Sequence, residues 1–203
     1  MDFLQIFTLV TGVIYIVLEI RQKNFMWVVG IATSLAAMWV FFRQGLYASF
    51  GLNTYYFITA FIGLWQWRRN KTALSDTSSV GHDTIVLNRL SWKTVIISAV
   101  VTVIGVVALS WGMDCLHDSG LLAENPMSLL DSAVAVLSAV ATWWLVKSYR
   151  EQWWLWIVAD AMSVALCVSQ QMWWMAVLYV AYVAAACYGL SYWKRHGTYL
   201  SDK

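Results

Sequence analysis

The chain has 203 residues, of which 61% are hydrophobic and 12% charged, with 14 Trp and a net charge of +2. That composition, with a mean hydropathy of +0.62, excludes an ordinary soluble domain and places the chain in a lipid bilayer. Nothing in it calls for nucleic acid, a cofactor or a metal as partner.

Crossing a hydrocarbon core of about 30 Å takes roughly 20 apolar residues in a helix. Seven stretches qualify: about 4–20, 25–42, 46–67, 92–111, 129–146, 153–168 and 173–192. None alternates as barrel strands do, so the fold class is all-α, with seven transmembrane helices. The first stretch opens Met1-Asp2-Phe3, without a basic region or a small-residue cleavage site. It therefore reads as a span and not as a removable signal peptide. At its end Glu19 stands beside Arg21, which predicts an interfacial ion pair. The second span carries Thr33 and Ser34, and the third carries Asn53 and Tyr56 one turn apart.

The third span runs into an aromatic-basic border, Trp65-Gln66-Trp67-Arg68-Arg69, followed by a polar linker with Ser and Thr clusters at 68–91. The fourth span, 92–112, leads into a loop at 112–128 that holds Asp114, Asp118 and Glu124 and no Lys or Arg. Within it Asp114-Cys115-Leu116-His117-Asp118 has ligand-type residues without metal spacing, and reads as solvated loop. Cys115, Cys167 and Cys187 show no redox spacing and read as packing residues.

The sixth span holds Asp160, about seven residues and so roughly 10 Å into the helix. A mid-span carboxylate is costly and marks a site. Trp153, Trp156 and Asp160 stand at i, i+3 and i+7, on one helix face. Two indoles and a carboxylate suit a flat cation, because ring faces attract positive charge and the acid supplies a counter-ion. The bland alternatives are an interfacial Trp belt and a structural hydrogen bond from Asp160. The seventh span places Tyr179 and Tyr182 where the third has Asn53 and Tyr56, and it ends in the border Tyr192-Trp193-Lys194-Arg195.

Sliding the sequence by 126 positions brings Gln44 onto Gln170, Tyr47 onto Trp173, Tyr56 onto Tyr182, Gly63 onto Gly189 and Trp67 onto Trp193. With a small gap, Thr33 and Ser34 mirror Asp160 and Ser163. The chain thus divides into a three-helix repeat at 4–67, a linker at 68–91, a linking helix at 92–112 and a second three-helix repeat at 129–193. Four spans separate the starts of the repeats, so the repeats run parallel about an axis along the membrane normal, a SWEET-like 3+1+3 plan. Seven spans put all Lys and Arg except Arg43 on one side, which the positive-inside rule makes cytoplasmic, with the N-terminus outside. Duplicated triplets are a transporter architecture, and the equivalent polar-aromatic steps are what a site shared by the repeats would show.

Other chemistries are set aside. No nucleotide-cradling G-x-x-x-x-G-K-[ST] loop is present. His82, His117 and His196 lie outside the spans, and a retinal Schiff base would need a lysine inside the last helix, whereas Lys194 lies past its end. A membrane-embedded enzyme would need convergent reactive groups at one depth, and the spans offer one deep carboxylate.

Trp153-x-x-Trp156 with a polar residue at position 160 resembles the W-x-x-W-x-x-x-N signature of the PnuC vitamin transporters. Asn53-Thr54-Tyr55-Tyr56, Gly45-Leu46-Tyr47-Ala48-Ser49 and Asp131-Ser132 are similar to further segments of that family, and the resemblance spans about Gly12 to Trp193. It implies facilitated diffusion of a B-vitamin or precursor across the bacterial inner membrane, with trapping by a cytoplasmic kinase; a homo-oligomer is left open. Asp160 departs from the Asn of the nicotinamide riboside pattern. The segments Tyr15–Gln22 and Trp27–Ile31 look more like the thiamin branch, so thiamin is the expected substrate and nicotinamide riboside the alternative. The implied substrate site comprises Trp153, Trp156, Asp160, Asn53, Tyr56, Tyr179, Tyr182 and Thr33.

Overall fold

A computed structural model describes residues 3–43, 47–75, 85–120 and 127–200. Seven helices follow in order: α1 Phe3–Ile20, α2 Phe25–Arg43, α3 Tyr47–Ser75, α4 Trp92–Asp118, α5 Ser128–Val146, α6 Gln152–Ser169 and α7 Trp173–His196. Among the described residues α4 to α7 are each long and apolar enough to cross a bilayer. Gln44, Gly45 and Leu46, used in the repeat match and one motif, lie outside the described residues.

Shifted by 126, the helix ends Ile20 and Arg43 and the helix start Tyr47 fall on Val146, Ser169 and Trp173. These are the ends of α5 and α6 and the start of α7. The coincidence needs no gap within α2 and α6, which corrects the mirror expected for Thr33: the mate of Asp160 is Ser34. Gln22 and Ser148, also 126 apart, both take left-handed backbone, with φ of 48° and 57°. Two non-glycine residues in that sparsely populated region at matched turns mark a duplicated geometry.

The described parts of the linker are more ordered than its composition predicts. Helix α3 continues to Ser75, and Ile85–Leu87 forms a fully buried strand, β1, paired in parallel with β2, Gly197–Tyr199. This small sheet is an addition to the all-α plan. The loop expected at 112–128 also begins later than predicted, because α4 runs through Asp114, Cys115 and His117 to Asp118. Among the described residues no group of acidic, His and Cys side chains could hold a metal.

The described chain divides into two compact units. The first comprises Met1–Arg89, Leu145–Arg150 and Tyr192–Lys203. Here α2 packs along α3, with Trp27 seated on Gly63: a Cβ there would lie 2.5 Å from the indole. The second comprises Leu90–Trp144 and Glu151–Ser191. In it Trp153 sits on Gly189, where a Cβ would lie 2.6 Å from ring atom Cη2. The two Trp–Gly seats are the same contact 126 residues apart. Helix α4 has no buried residue; Ser98 accepts the Trp144 indole N–H at 2.9 Å and Gly105 lies against Val136, so one side of it meets α5. Its exposed Trp92 and Trp111 are separated by about 28 Å of helix, close to the hydrocarbon thickness. They match the belt positions of interfacial indoles.

Candidate functional site

Helix α6 positions the candidate site. Two of its residues, Trp153 and Asp160, lie two turns apart on the buried stripe, which also includes Ala159, Ser163 and Cys167. Asp160 is 8% exposed and sits in the middle of the helix. Ser163, one turn on, donates its hydroxyl to the Ala159 carbonyl at 2.9 Å. The Tyr179 and Tyr182 rings of α7 stand edge to face at 6.0 Å, and both lie within electrostatic range of Asp160. Asp131, in the first turn of α5, also acts on Tyr179. This second unit therefore brings Asp160, Tyr179 and Tyr182 within electrostatic range, with Ser163 one turn from Asp160 and Asp131 acting on Tyr179.

Trp153 is only 1% exposed, and its ring occupies the seat at Gly189. Its principal task is to pack α6 on α7, so it fixes the helix that carries Asp160. Trp156 is half-buried, and its indole N–H is buried without an acceptor among the described residues.

The remaining predicted residues belong to the first unit. Asn53 and Tyr56 are half-buried on α3, and Tyr56 stacks obliquely on Tyr55 at 5.6 Å. Thr33 is exposed and spends its hydroxyl on its own helix, at 2.9 Å from the Val29 carbonyl and 3.2 Å from that of Gly30. Its neighbour Ser34 is buried. Glu19, expected at an interface beside Arg21, is 4% exposed while Arg21 is exposed. Its carboxylate lies within electrostatic range of Tyr15, and so does Tyr56. Sequence reasoning missed this Tyr15–Glu19–Tyr56 cluster; the i, i+4 spacing of Tyr15 and Glu19 was its only signal.

The repeated borders also change meaning. Trp65 is exposed beneath the Arg69 guanidinium, 4.7 Å from its ring, as an interfacial residue would be. Trp67 and Trp193 are instead buried, donating their indole N–H groups to Leu145 and Ile20 carbonyls at 3.1 and 2.9 Å. An indole is amphipathic, and helix phase decides whether it faces lipid or protein.

Residues 2–195 match the family model described as nicotinamide mononucleotide transporter. The chain is 26% identical over 159 residues to the nicotinamide riboside transporter PnuC of Neisseria mucosa, covering 77% of this chain. It spans 56% of that relative's length. It also resembles a solved structure titled as the vitamin B3 transporter PnuC, with a TM-score of 0.64 and 24% identity, covering 93% of this chain and 81% of that one. That likeness concerns the fold.

Proposed function

The chain belongs to the nicotinamide mononucleotide transporter family, a family of multi-pass membrane transporters, and on that premise we propose that it carries nicotinamide riboside across the bacterial inner membrane. The names of its relatives reverse the lean toward thiamin in favour of the alternative. The single observation in the site that supports the reading is the buried mid-helix carboxylate of Asp160, within electrostatic range of Tyr179 and Tyr182 of α7. It stands where the nicotinamide riboside pattern has Asn, and so adds a charge at a position that the pattern keeps polar. A permanently cationic nicotinamide ring needs a counter-charge when it leaves water, and phenol rings and hydroxyls suit its face and its ribose. The mononucleotide would bring a phosphate beside that carboxylate. No Lys or Arg lies in α6, and those of α7 are confined to its last turn. Like charges at short range in a dry site repel, so the riboside fits these residues better than its phosphate ester.

Seven spans in two parallel triplets around α4, with the N-terminus outside, complete the proposal. The matched helix ends and the matched turns at Gln22 and Ser148 support parallel repeats. Transport is downhill, with a cytoplasmic kinase trapping the product. The test is uptake of radiolabelled nicotinamide riboside into vesicles holding the purified protein. Unlabelled riboside should compete fully, the mononucleotide and thiamin at least tenfold less well. Faster uptake of thiamin than of the riboside would restore the first expectation and overturn this one.

A further inference from the structure

One end of the first unit holds a cluster that the substrate site does not use, built on the two matched turns. Gln22 and Ser148, 126 residues apart in a chain whose repeat offset is 126, touch each other: Gln22 Nε2 donates to Ser148 Oγ at 3.4 Å. Residues equivalent by repeat meet only where an axis relating the repeats passes between them. The same Gln22 amide clasps strand β1, donating to the Val86 carbonyl at 2.9 Å while the Val86 N–H donates to its Oε1 at 2.7 Å. Lys71 Nζ donates to the Gln22 carbonyl at 2.8 Å. On the other turn, Asn88 donates its N–H to Ser148 and its Nδ2 to the Lys147 carbonyl, at 3.1 and 2.7 Å.

The indole bonds also cross over, with acceptors one residue apart in the repeat register. Trp67, from the first triplet, donates to Leu145 at the end of α5; Trp193, from the second, donates to Ile20 at the end of α1. Gln22, Ser148, Trp67, Trp193 and all three residues of β1 are buried. Gly197 of β2 leaves room for Leu87, which a Cβ would strike.

We propose that this junction is a fixed pivot, closed throughout the transport cycle, and not a gate that opens to release substrate. The inference rests on the transport reading above. A gate must part and re-form at every turnover. Parting here would strip partners from several buried backbone and side-chain groups at once, in a place where unpaired polar groups are strongly disfavoured. Gates elsewhere are drawn from weakly packed segments; β1 is fully buried, bonded on one edge to β2 and on the other to Gln22.

The test bridges the turns. Gln22→Cys and Ser148→Cys are placed in a protein carrying Cys115→Ser, Cys167→Ala and Cys187→Ala, and joined by a short bifunctional thiosulfonate. Nicotinamide riboside uptake into vesicles is measured before bridging, after it and after reduction. A pivot predicts that the bridged protein keeps more than about half of the unbridged rate. A fall below that, reversed by reduction, overturns the proposal. Should the double variant fail to fold, hydrogen exchange on the unaltered protein decides. The amides of Val86, Asn88 and Leu200 should exchange at the same slow rate with and without the riboside; a severalfold acceleration during transport overturns the pivot. If the unaltered protein takes up no riboside, the transport reading has failed, and the bridging comparison is not what failed it.

Discussion

Substituting Gly189 with Ala tests the seat that holds Asp160 in place. A Cβ there would stand 2.6, 2.7 and 2.8 Å from three atoms of the Trp153 indole. Ordinary carbon contacts lie near 3.5–4.0 Å, so the ring must move by roughly 1 Å. Trp153 cannot yield easily, because it is 1% exposed. Overpacking of this kind costs about 1–3 kcal/mol. Gly→Ala inside a helix also gains roughly 1 kcal/mol of helix propensity, which would mask part of the loss. Gly51→Ala measures that gain alone, since Gly51 lies in α3 with nothing within 4 Å of its Cβ position. At about 2–4 °C per kcal/mol for a chain of this size, Gly189→Ala should unfold about 2–12 °C below Gly51→Ala. Thermal unfolding in detergent, followed by intrinsic Trp fluorescence, reads the difference. Adding Trp153→Leu, which vacates the space, should remove most of the penalty of Gly189→Ala. If Gly189→Ala melts with Gly51→Ala, the ring does not occupy the seat, and α6 is positioned by something else.

Three further outcomes follow. Asp160→Asn installs the Asn of the nicotinamide riboside pattern, and so removes the charge while keeping the polar shape. With Asp160 as counter-charge in this chain, riboside binding should weaken by tens-fold or more, since losing one partner of a desolvated charge pair costs about 2–5 kcal/mol; equal or tighter affinity in equilibrium binding would show that the neutral amide suffices, as that pattern implies. Trp193→Phe removes the indole bond to the Ile20 carbonyl and should lower stability by about 1–3 kcal/mol, because that buried carbonyl loses its partner; an unchanged unfolding temperature would contradict this. Initial uptake of the riboside into vesicles should be the same with proton and sodium gradients intact or dissipated, and accumulation abolished by a protonophore would instead make Asp160 or Glu19 a coupling group.

Long-range order was legible in the sequence where it was written twice. The offset of 126 reappears in the helix ends and in the turns. The depth of Asp160 followed from counting residues in an apolar run, and its burial agrees. Helix phase was harder to read. Trp67 and Trp193 stood in aromatic-basic borders whose burial could not be read, because composition gives the residue and not its direction. Strand β1 was hidden for a different reason: three apolar residues in a polar linker are too few to show a period. Its partner β2 lies at the far end of the chain. The gap inserted to bring Thr33 opposite Asp160 came from matching polarity, whereas backbone equivalence pairs Asp160 with Ser34.

That last pairing bears on how a duplicated frame acquires a site. What the repeats share is scaffold: Trp27 on Gly63 with Trp153 on Gly189, the crossed bonds of Trp67 and Trp193, and the turns at Gln22 and Ser148. The acids are what they do not share. Asp160 corresponds to Ser34, and Glu19 to Leu145. Glu19 occupies the last turn of α1, while Asp160 lies in the middle of α6. A substrate with one fixed positive charge needs one counter-charge at its ring, and a second equivalent carboxylate would add burial cost without a partner. Divergence at positions 34 and 160 is consistent with the monocationic substrate proposed above. A Ser34→Asp change, which makes the repeats alike there, should be more harmful than Ser34→Ala.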